Sequence, residues 1–219
     1  MGQKLLPLQL RANFEGVSCF LNRKDDPSFG EIRTKVLSRD HHTCRYCGFH
    51  AEKFQQIVSI NGDFKNNNLD NLATACIFCM HCQLLALRNT NAKIIFLPEV
   101  TQVELNHFVR ILFCASTMKR EVSDLAKSLY QAFRKRTSVV EEVFGKDASD
   151  SLIFAQSLID INPESQKQQQ KALTSLRLLP AKSYYNKQID YWTNSVITPE
   201  KIEAAMQHYS KKMKEANSL

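Results

Sequence analysis

The chain has 219 residues, 43% of them apolar and 23% charged, with seven cysteines and a formal net charge of +7. That length forms one large domain or two small ones, and the apolar share can fill a core, so the chain should fold. No apolar run reaches the eighteen residues of a membrane span, and MGQKLLPLQLRANFEG lacks the apolar core and cleavage site of an export signal, so a soluble, cytosolic protein is expected.

Met1-Gly2 invites a myristoylation reading, but Leu6 stands where that motif wants Ser or Thr. An odd number of cysteines without an export signal favours metal ligation over a disulfide framework. The charge suits an acidic or phosphate-rich partner. Its clusters, Lys119-Arg120, Arg134-Lys135-Arg136 and Lys211-Lys212-Lys214, are dispersed and lack interleaved aromatics, so solvated helix faces are the first reading.

In chain order, residues 1 to 28 mix short apolar stretches with Asn13, Gly16 and an Asp25-Asp26-Pro27 break, a pattern closer to two short strands or an arm than to a helix. Ile32, Val36 and Leu37 predict a helix from Ser28 through Asp40, capped by Ser28. Ile57-Val58-Ser59-Ile60 predicts a strand, Asn61-Gly62-Asp63 a tight turn, and Lys65-Asn66-Asn67-Asn68 a loop. Leu69 to Leu72 brings the chain back toward the second cysteine pair.

Lys93 to Leu97 predicts a strand ended by Pro98, and Thr101 with Glu104 forms the capping box of a helix. Val122, Leu125, Leu129, Phe133, Val140 and Phe144 fall on one face of a long helix that Gly145 can end, an amphipathic docking face with Lys127 and Arg134 opposite. A helix is predicted over Ser151 to Ile161, and another from Pro163, with polar residues 166 to 171, stopped by Pro180. Tyr184, Tyr185, Tyr191 and Trp192 form an aromatic cluster, interior by default and alternatively a partner anchor. Thr198-Pro199-Glu200 opens the last helix, with Ile202, Ala205, Met206, Tyr209 and Met213 as its apolar stripe. The expectation is an α+β fold: a zinc-stapled module with an N-terminal arm over residues 1–90 and a helical region over 91–219, the two able to share one core.

Cys44-x2-Cys47 and Cys76-x2-Cys79 are two knuckles, each placing two sulfurs on one tight turn. Four thiolates complete a tetrahedron, and such a site contributes of order 10–16 kcal/mol of binding energy. The expected metal ligands are Cys44, Cys47, Cys76 and Cys79, and the expected cofactor a structural Zn²⁺, with iron open to the same ligand set. Cys82 forms a further CxxC with Cys79 and can replace a ligand or be spare; His50 and His81 also flank the knuckles. Cys19 and Cys114 read as core residues.

"IRTKVLSRDHHTCRYCG" followed by "INGDFKNNNLDNLATACIFCMHC", roughly residues 31 to 82, resembles the HNH endonuclease family. That resemblance implies a ββα zinc module, a histidine base in the strand before the turn, and a His or Asn after the last cysteine pair that helps hold a divalent ion at the scissile phosphate. Here Val58 and Ser59 stand at the histidine positions and Met80 at the last one; of the motif only the middle Asn71 matches. None of the nearby His41, His42, His50 and His81 is in the matching register. No catalytic residues are therefore expected, and the frame reads as a scaffold. Frame, length and helical tail also resemble HNH-like subunits of type IVB (Dot/Icm) secretion coupling complexes. That implies a non-catalytic adaptor docked on the C-terminal tail of the coupling ATPase, DotL, with chaperone subunits, at the cytoplasmic face of the bacterial inner membrane, supporting effector export. A nucleic-acid-binding protein and an HNH endonuclease are the alternatives; the first predicts steep salt dependence, the second metal-dependent cutting.

Overall fold

The computed structural model describes residues 4–23, 26–159 and 173–216, with side chains through residue 207. Residues 4–13 form no helix or strand and are tied to the rest of the chain by Leu6 N donating to Arg45 O at 2.7 Å and Arg11 N to Cys82 O at 2.8 Å. Helix α1 (Phe14–Asn22) follows, where strands or a plain arm are expected. Its start is a side-chain cap: Asn13 accepts from Gly16 N, and a Cβ on Gly16 would lie 2.5 Å from Asn13 Cγ, so only glycine admits that cap. Helix α2 (Pro27–Arg39) is capped by Asp26, which accepts from Ser28 N at 2.9 Å and Ser28 Oγ at 2.6 Å. Ser28 is thus a donor to the cap and not the cap itself, because Pro27 already occupies the first turn.

Strands β1 (Gln56–Ser59) and β2 (Leu72–Ala75) pair antiparallel, Val58 opposite Ala73, and α3 (Ile77–Gln83) completes a ββα module. The turn between the strands has Gly62 at φ +90, a left-handed value suited to glycine. Ile57 and Leu72 pack on Phe29 and Val36 of α2.

Beyond it come β3 (Lys93–Phe96), α4 (Gln102–Ala115), α5 (Arg120–Lys135), α6 (Thr137–Phe144), α7 (Ser151–Ile159), β4 (Leu176–Leu179), α8 (Asn186–Ser195) and α9 (Pro199–Ala216). The Thr101–Glu104 capping box is formed as expected, and Gly145 ends α6 at φ +98. The single long helix expected through Val122 to Phe144 is two. Arg136 breaks it, its guanidinium held by Glu99 at 2.8 Å and its carbonyl accepting from Phe96 N at 3.4 Å. Buried Ser123, Ala126 and Phe133 line the inner face of α5, whereas Leu125 and Phe144 are exposed.

The helix expected to run up to Pro180 is contradicted where it is described: Leu176–Leu179 is a strand, Ile94 pairing with Leu178 and Phe96 with Leu176. Leu176 and Leu178 alternate inward around the half-buried Arg177, the two-residue period of a sheet. The start of that expected helix at Pro163, its polar stretch 166–171, Ile161, Asp25, Met1-Gly2 and the side chains of Tyr209, Lys211, Lys212, Met213 and Lys214 lie outside the described residues.

The main buried cluster joins the ββα module to the helices: Val58, Phe78 and Met80 share it with Leu112, Phe113, Tyr185, Trp192 and Ile202. A second cluster gathers Cys82, Leu85, Ile94, Phe154, Leu176 and Leu178 around the β3–β4 hairpin. The architecture is α+β, a ββα module followed by a mostly helical remainder.

Candidate metal centre

The first cysteine pair sits on a narrow loop. Gly48, at φ +73, lets the chain reverse, its N–H donating to Cys44 O at 2.8 Å while Cys44 N donates to Phe49 O at 3.0 Å. Cys76 occupies the N-cap of α3 in extended backbone, and Cys79 falls one turn later. The β1–β2 hairpin spans the 28 residues between the pairs and returns the second opposite the first. All four sulfurs lie within 4.8 Å of one another and are buried. Cys47 Sγ and Cys76 Sγ are 3.7 Å apart. Zinc–sulfur bonds of about 2.3 Å set tetrahedral S···S edges of about 3.8 Å, whereas a disulfide needs about 2.05 Å. The donor set therefore fits a four-thiolate metal ion.

The sulfurs are electrostatically unequal. Burial, reinforced by neighbouring sulfurs, pushes the Cys44 and Cys79 thiols well up. Burial also opposes ionisation of Cys76, but hydrogen bonds from the other three cysteines and the Arg110 charge hold its thiol well below the usual range. Arg110 Nη2 donates to Cys76 Sγ at 3.2 Å and Asn106 Nδ2 to Cys79 Sγ at 3.5 Å. Positive and N–H donor groups face a cluster that would carry net negative charge with a dication bound.

The other flanking residues do not join the group. Cys82 lies in the second apolar cluster, where burial pushes its thiol far up. His50 is at the surface, Nδ1 at 3.0 Å from His41 O and Nε2 at 3.2 Å from Glu52. His81 is buried on α3 with Nδ1 against the Tyr185 hydroxyl. Cys114 is buried in the main core, and Cys19 is half-buried against it. Asn106 and Arg110 were not among the expected site residues; their signal was a polar row, Gln102, Asn106 and Arg110, recurring every four residues along a mostly buried helix.

At the nuclease positions, Val58 and Met80 are buried in the main cluster beside Phe20 and Phe64. The fully buried Ser59 hydroxyl donates to Asp63 O at 2.8 Å and accepts from Asn71 Nδ2 at 3.1 Å, while Asn71 Oδ1 accepts from Asn61 N at 3.2 Å. Ser59 and Asn71 thus brace the turn. The N-terminal segment lies across the same turn. Arg11 donates to Ile60 O at 2.9 Å, Asn13 to Gly62 O at 2.7 Å and Arg23 to Asn67 Oδ1 at 2.6 Å, with Phe20 edge-on to Phe64. Among the described residues no histidine or acid stands where the nuclease motif needs its base and its metal ligand.

No protein-family model matches the chain. Over 199 residues it is 37% identical to the type 4 apparatus protein DotN of Legionella pneumophila, an alignment covering 89% of this chain and 93% of that protein. With that identity over nearly the whole of both proteins, the chain belongs to the family of the type 4 apparatus protein DotN.

Proposed function

We propose that this chain is a non-catalytic structural adaptor of a type IVB (Dot/Icm) secretion coupling complex. Kinship with DotN over nearly its full length carries the reading. Val58, Ser59 and Met80 at the nuclease positions support it, since none can take a proton from water at neutral pH or bind a hard cation. In this reading Cys44, Cys47, Cys76 and Cys79 hold a structural Zn²⁺ that folds the ββα module. The adaptor docks on the C-terminal tail of the coupling ATPase together with chaperone subunits. It acts at the cytoplasmic face of the inner membrane, recruited by partners; no helix among the described residues is long and apolar enough to cross a membrane.

Affinity capture of the tagged protein from its native cells at low and high salt tests the proposal. The expected result is a stoichiometric coupling ATPase and small chaperones that survive high salt. Nucleic acid released by salt with no protein partner would overturn it, because phosphate contacts weaken steeply as counterions compete. Magnesium-, manganese- or nickel-dependent plasmid cutting that vanishes on changing a nearby histidine would overturn the non-catalytic part.

A further inference from the structure

A buried cation faces the cysteine centre from α4. Arg110 is 1% exposed, among the largest fully buried side chains, and forms no ion pair with a carboxylate among the described residues. Its guanidinium lies over the rings of Phe49 at 3.7 Å, Phe78 at 5.1 Å and Trp192 at 5.2 Å, and its Nε has no partner. A cation in such surroundings needs a counter-charge. The atom within reach that can carry negative charge, as a metal-bound thiolate, is Cys76 Sγ, 3.2 Å from Nη2.

We propose that α4 is the outer shell of the four-cysteine centre, with Arg110 as the counter-ion of its thiolates, so that metal occupancy holds the helical region and the β3–β4 hairpin onto the ββα module. The inference rests on the reading that a metal is bound there. Four thiolates around a dication leave two negative charges, and Arg110 offsets one.

Two relays extend from this contact. The Cys47 carbonyl can only accept, so His107 Nε2, at 2.9 Å, carries the proton, and His107 Nδ1 accepts from Arg110 Nη1 at 3.4 Å. Arg110 therefore bridges both knuckles, Cys76 directly and Cys47 through His107. On the same helix Asn106, donating to Cys79 Sγ, accepts from Gln102 Nε2 at 2.9 Å, and Gln102 is bonded on both sides to the backbone of Leu178 in β4, at 2.9 and 2.7 Å. Every link in this second relay is buried. A change of charge at the sulfurs thus reaches β4 through two side chains of one helix.

The test uses the full-length metal-loaded protein and the variants Arg110→Gln, Arg110→Lys and Asn106→Leu. Metal content, the rate of zinc transfer to a chromogenic chelator, the thiolate-to-cobalt charge-transfer band of the cobalt-substituted protein, and amide exchange before and after chelation are measured. Expected are zinc release faster by about 10–100-fold in Arg110→Gln, an intermediate rate in Arg110→Lys, a shifted cobalt band, and faster exchange in α4 and β4 of the parent after chelation. If Arg110→Gln does not fold, Arg110→Lys and Asn106→Leu carry the same comparison. Metal-loaded parent protein with unchanged release rates and cobalt bands in the variants, or with α4 and β4 exchange unaffected by chelation, overturns this inference alone. A parent that holds no stoichiometric metal overturns the metal reading and this inference with it.

Discussion

Asp40 ends α2 and begins the run into the first knuckle. Its carboxylate accepts from Arg39 Nε at 2.9 Å, Arg39 Nη2 at 3.0 Å and Thr74 N at 2.9 Å. Burial works to raise its pKa, but the hydrogen bonds from Arg39 and Thr74 outweigh it and hold the group below its ordinary value. A depressed folded value gives stabilisation that is complete above the ordinary carboxylate pKa of about 3.9 and is lost as pH falls through the folded value. Asp40→Asn should therefore cost about 2 kcal/mol at pH 7. In urea unfolding, its deficit against the parent should shrink as the pH drops below the ordinary carboxylate value; a deficit independent of pH would refute the assignment. The aromatic cluster gives a second comparison. Trp192 is fully buried, edge-on to Phe49 at 5.9 Å and Phe78 at 5.4 Å, so Trp192→Ala should cost about 3–5 kcal/mol. Tyr184, 37% exposed, should tolerate alanine at a cost of about 1 kcal/mol or less, and equal losses at the two sites would contradict the burial pattern. Residue types alone marked both as aromatic; which faces inward depends on how Tyr185, Phe78 and Phe113 meet around them.

Elements written in local chemistry were legible. Thr101 and Glu104 are three residues apart and close their capping box within one turn, which no distant contact needs to assist. Thr101→Ala should cost about 1 kcal/mol, read as a lower denaturation midpoint with unchanged slope. Elements decided at long range were not legible. The apolar spacing continues across Arg136, yet the helix stops there because Glu99 and the end of β3 bind that residue from outside. Leu176–Leu179 is short enough to fit either period, and only pairing with β3, some eighty positions earlier in the chain, makes it a strand. Helix α1 has a local cap, Asn13 accepting from Gly16 N, but Asn and Gly read equally as turn residues, and the buried face of the helix is completed only by the distant turn, where Phe20 meets Phe64 edge-on.

At the scale of the molecule, the ββα module and the helical region are joined through Phe78, which meets Phe113 at 6.0 Å, Tyr185 at 4.8 Å and Trp192 at 5.4 Å. Division of the chain at residue 90 would expose those rings. Fragments 1–90 and 91–219 expressed separately should aggregate, even with zinc supplied, and recover only on co-expression; a soluble, folded 1–90 fragment would show that the module needs no helical partner. Cys44→Ser or Cys76→Ser should yield insoluble or unfolded protein, because each leaves three thiolates in a site that closes with four. A soluble double variant with unchanged melting would remove the structural role of the metal. By itself the sequence determined the spacing of two cysteine pairs, the hairpin between them, the loss of ionisable groups at Val58, Ser59 and Met80, and the helix opened by the Thr101–Glu104 capping box. These depend on residue type and on neighbours within a turn or two. Tertiary structure alone decided that Cys82 belongs to another core, that Arg110 faces the sulfurs, and that the N-terminal segment covers the hairpin turn. Each of those outcomes joins residues that are distant in the chain, and burial assigns a side chain its electrostatic partner only after the packing is complete.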